Sequence, residues 1–209
     1  MDKVLDRLGE LKLIPVVKIE NAADAVPLGE ALLEGGLPVA EITFRTDAAE
    51  EAIASLSANL PELLVGAGTV LKIIQVQRAI DAGAKFIVAP GFNPRTVSYC
   101  VENGYPITPG VNSPTQIEAA LEYDLEVVKF FPAEASGGLA MLKAMSAPYS
   151  GVRFIPTGGI SAANVREYLA HPSILACGGS WMVKPALIKA GSFAEITKLC
   201  REAVAIARG

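Results

Sequence analysis

The chain has 209 residues, 51% of them hydrophobic and 19% charged, which fits one domain with a large core and excludes a disordered chain. Its net charge of −4 supplies no overall field for holding nucleic acid or an anionic substrate, so any anion must be held by local groups. Three cysteines without a paired spacing and a single histidine, His171 beside Pro172 in a turn, argue against a zinc pattern and a histidine-based triad.

The first seven residues carry charges where the apolar stretch of a secretion signal would lie, and no apolar run approaches the ~18–20 residues of a membrane span. The expected location is therefore the cytoplasm, with reduced thiols. Strands are predicted at 13–17, 38–43, 63–67, 85–89, 106–108, 125–130, 153–156 and 174–177. Helical segments rich in Ala, Leu and Glu fall between them, at 22–34, 48–59, 73–82, 115–123 and 162–170. Gly35, Gly36, Gly83 and Gly104 suit helix C-caps before the next strand. Eight βα units of about 26 residues each predict an α/β fold, a single-domain (β/α)8 TIM barrel over residues 1–209. No GxGxxG follows the first strand, which argues against a dinucleotide-binding doubly wound sheet.

Such barrels carry their sites at the C-terminal strand ends. On the second strand, alternation turns Glu41, Thr43 and Arg45 inward and apolar Ile42 and Phe44 outward. A structural Glu41–Arg45 ion pair is one reading of that face, and a functional pair is the other. On the sixth strand, Val127, Lys129 and Phe131 share the inner face. A lysine there either snorkels to the rim or serves as a nucleophile. An amine must be neutral to attack a ketone, and an apolar, partly desolvated pocket favours the neutral form. Lys129 is thus expected to form a Schiff base, with Glu41 shuttling protons. Two glycine-rich loops, Thr157-Gly158-Gly159-Ile160-Ser161 and Gly178-Gly179-Ser180, end the last two strands, where barrels commonly hold phosphate. N–H groups at the helix starts that follow would point at the anion.

These segments resemble the 2-keto-3-deoxy-6-phosphogluconate (KDPG) aldolases, which also act as 4-hydroxy-2-oxoglutarate aldolases. The matching stretches are Glu41-Ile42-Thr43-Phe44-Arg45-Thr46, Val65-Gly66-Ala67-Gly68-Thr69-Val70, Ala89-Pro90-Gly91, Lys129-Phe130-Phe131-Pro132-Ala133-Glu134, Pro156-Thr157-Gly158-Gly159-Ile160 and Gly178-Gly179-Ser180-Trp181. The likeness runs from about residue 12 to the C-terminus. It implies that Lys129 forms the imine and that Glu41 is the general acid/base. It implies that Arg45 and Thr69 hold the pyruvyl carboxylate end, and that Pro90 and Phe131 shape the pocket. It places the distal phosphate on Gly158, Gly159, Gly179 and Ser180, with Thr157 near the substrate hydroxyls. It also implies a homotrimer with no cofactor and no metal, acting on a phosphorylated 2-keto acid and pyruvate, and binding neither nucleic acid nor membrane. Phe44 stands where leucine is more usual, and the lead-in before Leu13 has no assigned role.

The nearest rival is the same chemistry on the galactonate epimer. The others are a phosphate-binding barrel isomerase or synthase that uses Lys129 as an electrostatic clamp, and a barrel that only binds a phosphorylated metabolite.

Overall fold

A computed structural model describes residues 3–209. The chain order is α1 (Lys3–Leu11), β1 (Leu13–Val17), α2 (Ala25–Glu34), β2 (Val39–Thr43), α3 (Ala49–Asn59), β3 (Leu64–Gly68), α4 (Ile73–Asp81), β4 (Ile87–Val88), α5 (Pro94–Glu102) and β5 (Ile107–Thr108). It continues with β6 (Gly110–Val111), α6 (Pro114–Leu121), β7 (Val127–Phe130), α7 (Gly138–Ser146), β8 (Arg153–Pro156), α8 (Val165–Leu169), β9 (Cys177–Gly179), α9 (Pro185–Lys189) and α10 (Phe193–Arg208).

Every strand pair is parallel. One arc runs β5-β4-β3-β2-β1-β9 and a second runs β6-β7-β8. The fifth predicted strand, 106–108, is β5, and an unpredicted short strand, β6, follows it across Pro109, which has no N–H to give the ladder. Its carbonyl still accepts from the Lys129 N–H at 2.9 Å. Between β8 and β9 the arcs touch through the isolated parallel bridges Phe154↔Ile174 and Thr157↔Gly178. The structure also moves the eighth strand from 174–177 to Cys177–Gly179 and trims the fourth to Ile87–Val88. Two predicted helices shrink. The segment 22–34 opens with a 3-10 turn, Ala22–Asp24, capped by Asn21, and 162–170 is helical only over Val165–Leu169.

Two cores flank the strands. The outer one lies under the helices and includes Val17, Ile42, Ala67, Val128, Phe130 and Phe154. α10 joins it through Ile196, Cys200 and Ala203, spaced to share one helix face. The inner core lies on the other strand face and holds Leu8, Ile14, Val39, Phe86, Val88, Val127, Ile155, Leu175 and Ala176. The unassigned lead-in is therefore α1. Its Leu8 is fully buried, and Val4, Leu5 and Leu11 pack beside it, so the helix covers the N-terminal end of the inner core.

Candidate active site

Alternation carries β2, β7 and β8 from hydrocarbon to polar chemistry along their inner faces. Val39 lies in the inner core, and Glu41, two residues on, is buried at 2% exposure. Val127 likewise precedes Lys129, which is 5% exposed, and Ile155 precedes Thr157. Lys129 Nζ stands 3.4 Å from Glu41 Oε1, a buried ion pair, and 5.2 Å from the Phe131 ring centroid. β3 makes room for the carboxylate, since a Cβ on Gly68 would stand 2.2 Å from Glu41 Oε1.

Arg45 lies beyond the regular strand, because β2 ends at Thr43. It is exposed, and its Nε donates to Thr43 Oγ1 at 3.0 Å. The Thr43 hydroxyl in turn donates to the Val17 carbonyl at 2.7 Å. Glu41 pairs with Lys129 rather than Arg45, and Arg45 makes no ion pair among the described residues. A guanidinium at a cleft rim without a carboxylate partner is a ready anchor for a substrate carboxylate. Thr69, just past β3, has φ +56°, a left-handed conformation that is rare for a β-branched residue and typical of residues held in place for function.

Thr157 is 6% exposed, and its Oγ1 is buried without a hydrogen-bond partner among the described residues. A Cβ on Gly178 would come within 2.3 Å of that oxygen. Gly158 and Gly159 have φ of +98° and +86°, open only to glycine at low cost. The glycine loops differ from expectation in one respect. Turns follow both loops, and the helices begin later, at Val165 and Pro185, so the cleft is lined by loop residues rather than by helix starts.

A cleft of about 260 Å³ gathers these groups. Its walls include Glu41, Arg45, Thr69, Pro90, Lys129, Phe131, Thr157, Gly158, Gly159, Gly179 and Ser180, together with Val16, Thr43, Ile160 and Gly178. The eleven residues singled out from the sequence thus converge on one cavity. Thr43 was legible as an inward residue of β2, and Ile160 and Gly178 as members of the two glycine-rich loops, whereas Val16 carries no chemical signal that marks it. His171 sits in the turn after α8, where its Nδ1 accepts from the Ser173 N–H at 3.3 Å. Cys100, Cys177 and Cys200 are unpaired and buried, and burial pushes all three thiols up.

A buried lysine paired with a carboxylate, a nearby guanidinium and a glycine loop, all at the C-terminal ends of parallel strands, define a cleft equipped for imine chemistry on a small anionic carbonyl compound. The family described as KDPG and KHG aldolase matches residues 4–199, and the chain belongs to it. The chain is 52% identical to a 2-dehydro-3-deoxy-phosphogluconate aldolase of Treponema pallidum, over 99% of its own length and 98% of the relative's. It is similar to the solved 2-keto-3-deoxy-6-phosphogluconate aldolase of Zymomonas mobilis ZM4 with 3-phosphoglycerate (42% identity, TM-score 0.90, 97% of this chain and 95% of that one). It is similar also to the KDPG aldolase of Legionella pneumophila, solved with pyruvate captured as a covalent carbinolamine (39% identity, TM-score 0.91, 94% and 96%).

Proposed function

We propose that this chain is a class I aldolase that cleaves KDPG to pyruvate and glyceraldehyde 3-phosphate, and that also cleaves 4-hydroxy-2-oxoglutarate to pyruvate and glyoxylate. The observation that carries this reading is the buried Lys129–Glu41 pair at 3.4 Å, in a cleft that ends in the two glycine loops. A proton passed from Lys129 to Glu41 leaves a neutral amine. The amine adds to the C2 carbonyl, and loss of water from the carbinolamine gives a protonated imine. The C3–C4 bond breaks as its electrons flow into the imine, while the C4 hydroxyl proton passes to a base and the aldehyde departs. Glu41 returns a proton to C3 of the enamine, and water releases pyruvate. Arg45 and Thr69 hold the carboxylate end, Pro90 and Phe131 pack on the carbon chain, and Thr157 meets a hydroxyl. Gly158, Gly159, Gly179 and Ser180 bind the phosphate.

The strands form a closed (β/α)8 barrel over the described residues 3–209, a reading supported by the single proline between β5 and β6 and by the bridges between β8 and β9. The working form is a cytoplasmic homotrimer. The half-exposed apolar Leu71 and Ile74, which follow Thr69 in the chain, support a subunit contact, and three unpaired thiols suit a reducing compartment.

The test is borohydride trapping. Incubation with pyruvate, reduction and digestion should yield the adduct on the Lys129 peptide. An adduct absent, or found on Lys18 or Lys85, would sink the reading.

A further inference from the structure

We infer that Asn164, which lies outside the cleft, is a positioning residue that aims the amides of the Gly158–Gly159 loop at the substrate's phosphate. The inference rests on the phosphate-binding role proposed above for that loop. Three consecutive carbonyls of the loop are tied down from behind. Thr157 O accepts from the Ala133 N–H at 2.8 Å and Gly158 O from the Glu134 N–H at 3.0 Å. Gly159 O accepts from Asn164 Nδ2 at 3.1 Å. In a trans peptide the N–H points opposite to the C=O of the same unit, and among the described residues the only cis bond is Phe131–Pro132. Holding those carbonyls therefore directs the N–H groups of Gly158, Gly159 and Ile160 the other way. Gly158, Gly159 and Ile160 line the cleft, whereas Ala133, Glu134 and Asn164 do not.

The first two anchors are main-chain amides, which any sequence would supply. The third depends on a side chain. The Asn164 amide is used at both ends, because its Oδ1 also accepts from the Ser161 N–H at 2.8 Å. A main-chain N–H can only donate and a carbonyl can only accept, so the geometry demands a residue carrying both a donor and an acceptor. Aspartate keeps the shape but has no donor. It would set a carboxylate against the Gly159 carbonyl and release the third peptide to rotate, close to a bound dianion.

The discriminating experiment is Asn164→Asp, assayed on two reactions. One is cleavage of KDPG, which uses the phosphate loop. The other is deuterium exchange into the pyruvate methyl group, which uses Lys129 and Glu41 but carries no phosphate. We expect KM for KDPG to rise by about 10-fold or more, with the exchange rate within about twofold of the parent. Inorganic phosphate should also bind more weakly, read through the fluorescence of Trp181, the sole tryptophan, whose ring packs on Gly179. An unchanged KM, or a parallel fall in exchange as a merely structural role would give, overturns the inference. If Asn164→Asp does not fold, Asn164→Ala is put to the same two assays. A parent protein that exchanges pyruvate but does not cleave KDPG would instead refute the functional reading beneath it.

Discussion

The same strands build two unlike ends. At their N-terminal ends Ile14, Val39, Val127 and Ile155 meet Phe86 and Leu8, and α1 covers the mass as a hydrocarbon plug. At their C-terminal ends, one step further along the same inner faces, stand Glu41, Lys129 and Thr157. The lower end gains stability from buried area and asks only for volume and apolarity. The upper end buries an ion pair and, among the described residues, an unpartnered hydroxyl, groups that cost stability and are explained by chemistry rather than by folding. The contrast separates what holds this protein together from what makes it react, and each substitution below tests whether the two are as separable as the geometry says.

The largest effect is expected at the upper end. Lys129→Met removes the nucleophile and replaces it with a side chain of similar length. Cleavage should fall by on the order of 10⁴-fold or more, and borohydride should trap nothing. The replacement leaves the Glu41 carboxylate buried without its partner, at a cost of about 3–5 kcal/mol, so the melting temperature should fall while the transition stays cooperative. A cooperative melt retained alongside lost turnover is the outcome that keeps the two ends distinct. A protein that no longer folds would mean that Lys129 is structural.

Leu8→Ala is the mirror experiment. Leu8 is 1% exposed at the base of the inner core. Truncating such a leucine costs about 2–5 kcal/mol, readable as a lower denaturation midpoint in urea. Turnover per folded molecule should barely change. A large fall in turnover at full occupancy of the native state would show that the plug tunes the site.

Much of this contrast was legible in the sequence, and the exceptions have physical causes. Strand alternation predicted the inward faces of Glu41 and Lys129 because both lie within regular strands, where side chains must alternate. Arg45 lies two residues beyond the end of β2, in a turn, yet it lines the cleft beside Thr43 as alternation predicted. The break between β5 and β6 was visible as Pro109. Its effect was not, because a missing N–H matters only once a neighbouring strand is known. α1 escaped assignment because its meaning depends on a cavity built by strands far along the chain. Asn164 escaped for the same reason: an asparagine after a glycine loop reads as turn chemistry until its two partners are located.

A smaller effect is expected from Thr157→Val, which removes one oxygen from the upper end while keeping shape. The hydroxyl is buried and unpartnered, so a substrate hydroxyl is its natural partner. The loss in kcat/KM for KDPG should be about 10–100-fold, and preference for the gluconate over the galactonate epimer should narrow. Equal losses on both epimers would mean that Thr157 supports the loop rather than reading the substrate.

The smallest effect concerns the thiols, which test where the upper end stops. All three thiols belong to the outer core, and Cys177 also opens β9, whose Gly178 and Gly179 line the cleft. Burial raises the Cys100 and Cys200 thiols to about 12, and it raises Cys177 as well. A folded thiol with a raised pKa keeps a proton that the unfolded chain releases above about pH 8.5. The stability linked to it is therefore whole below that pH and is lost as pH rises towards 12. The melting temperature should be flat with respect to these groups from pH 6 to about pH 8 and should decline above that. At pH 8 all three thiols should resist a disulfide reagent in the native protein and react together once it unfolds. Rapid native labelling of Cys177 alone, relieved by saturating phosphate, would place that thiol within reach of the cleft. The boundary between the reactive end and the core would then lie one residue deeper on β9.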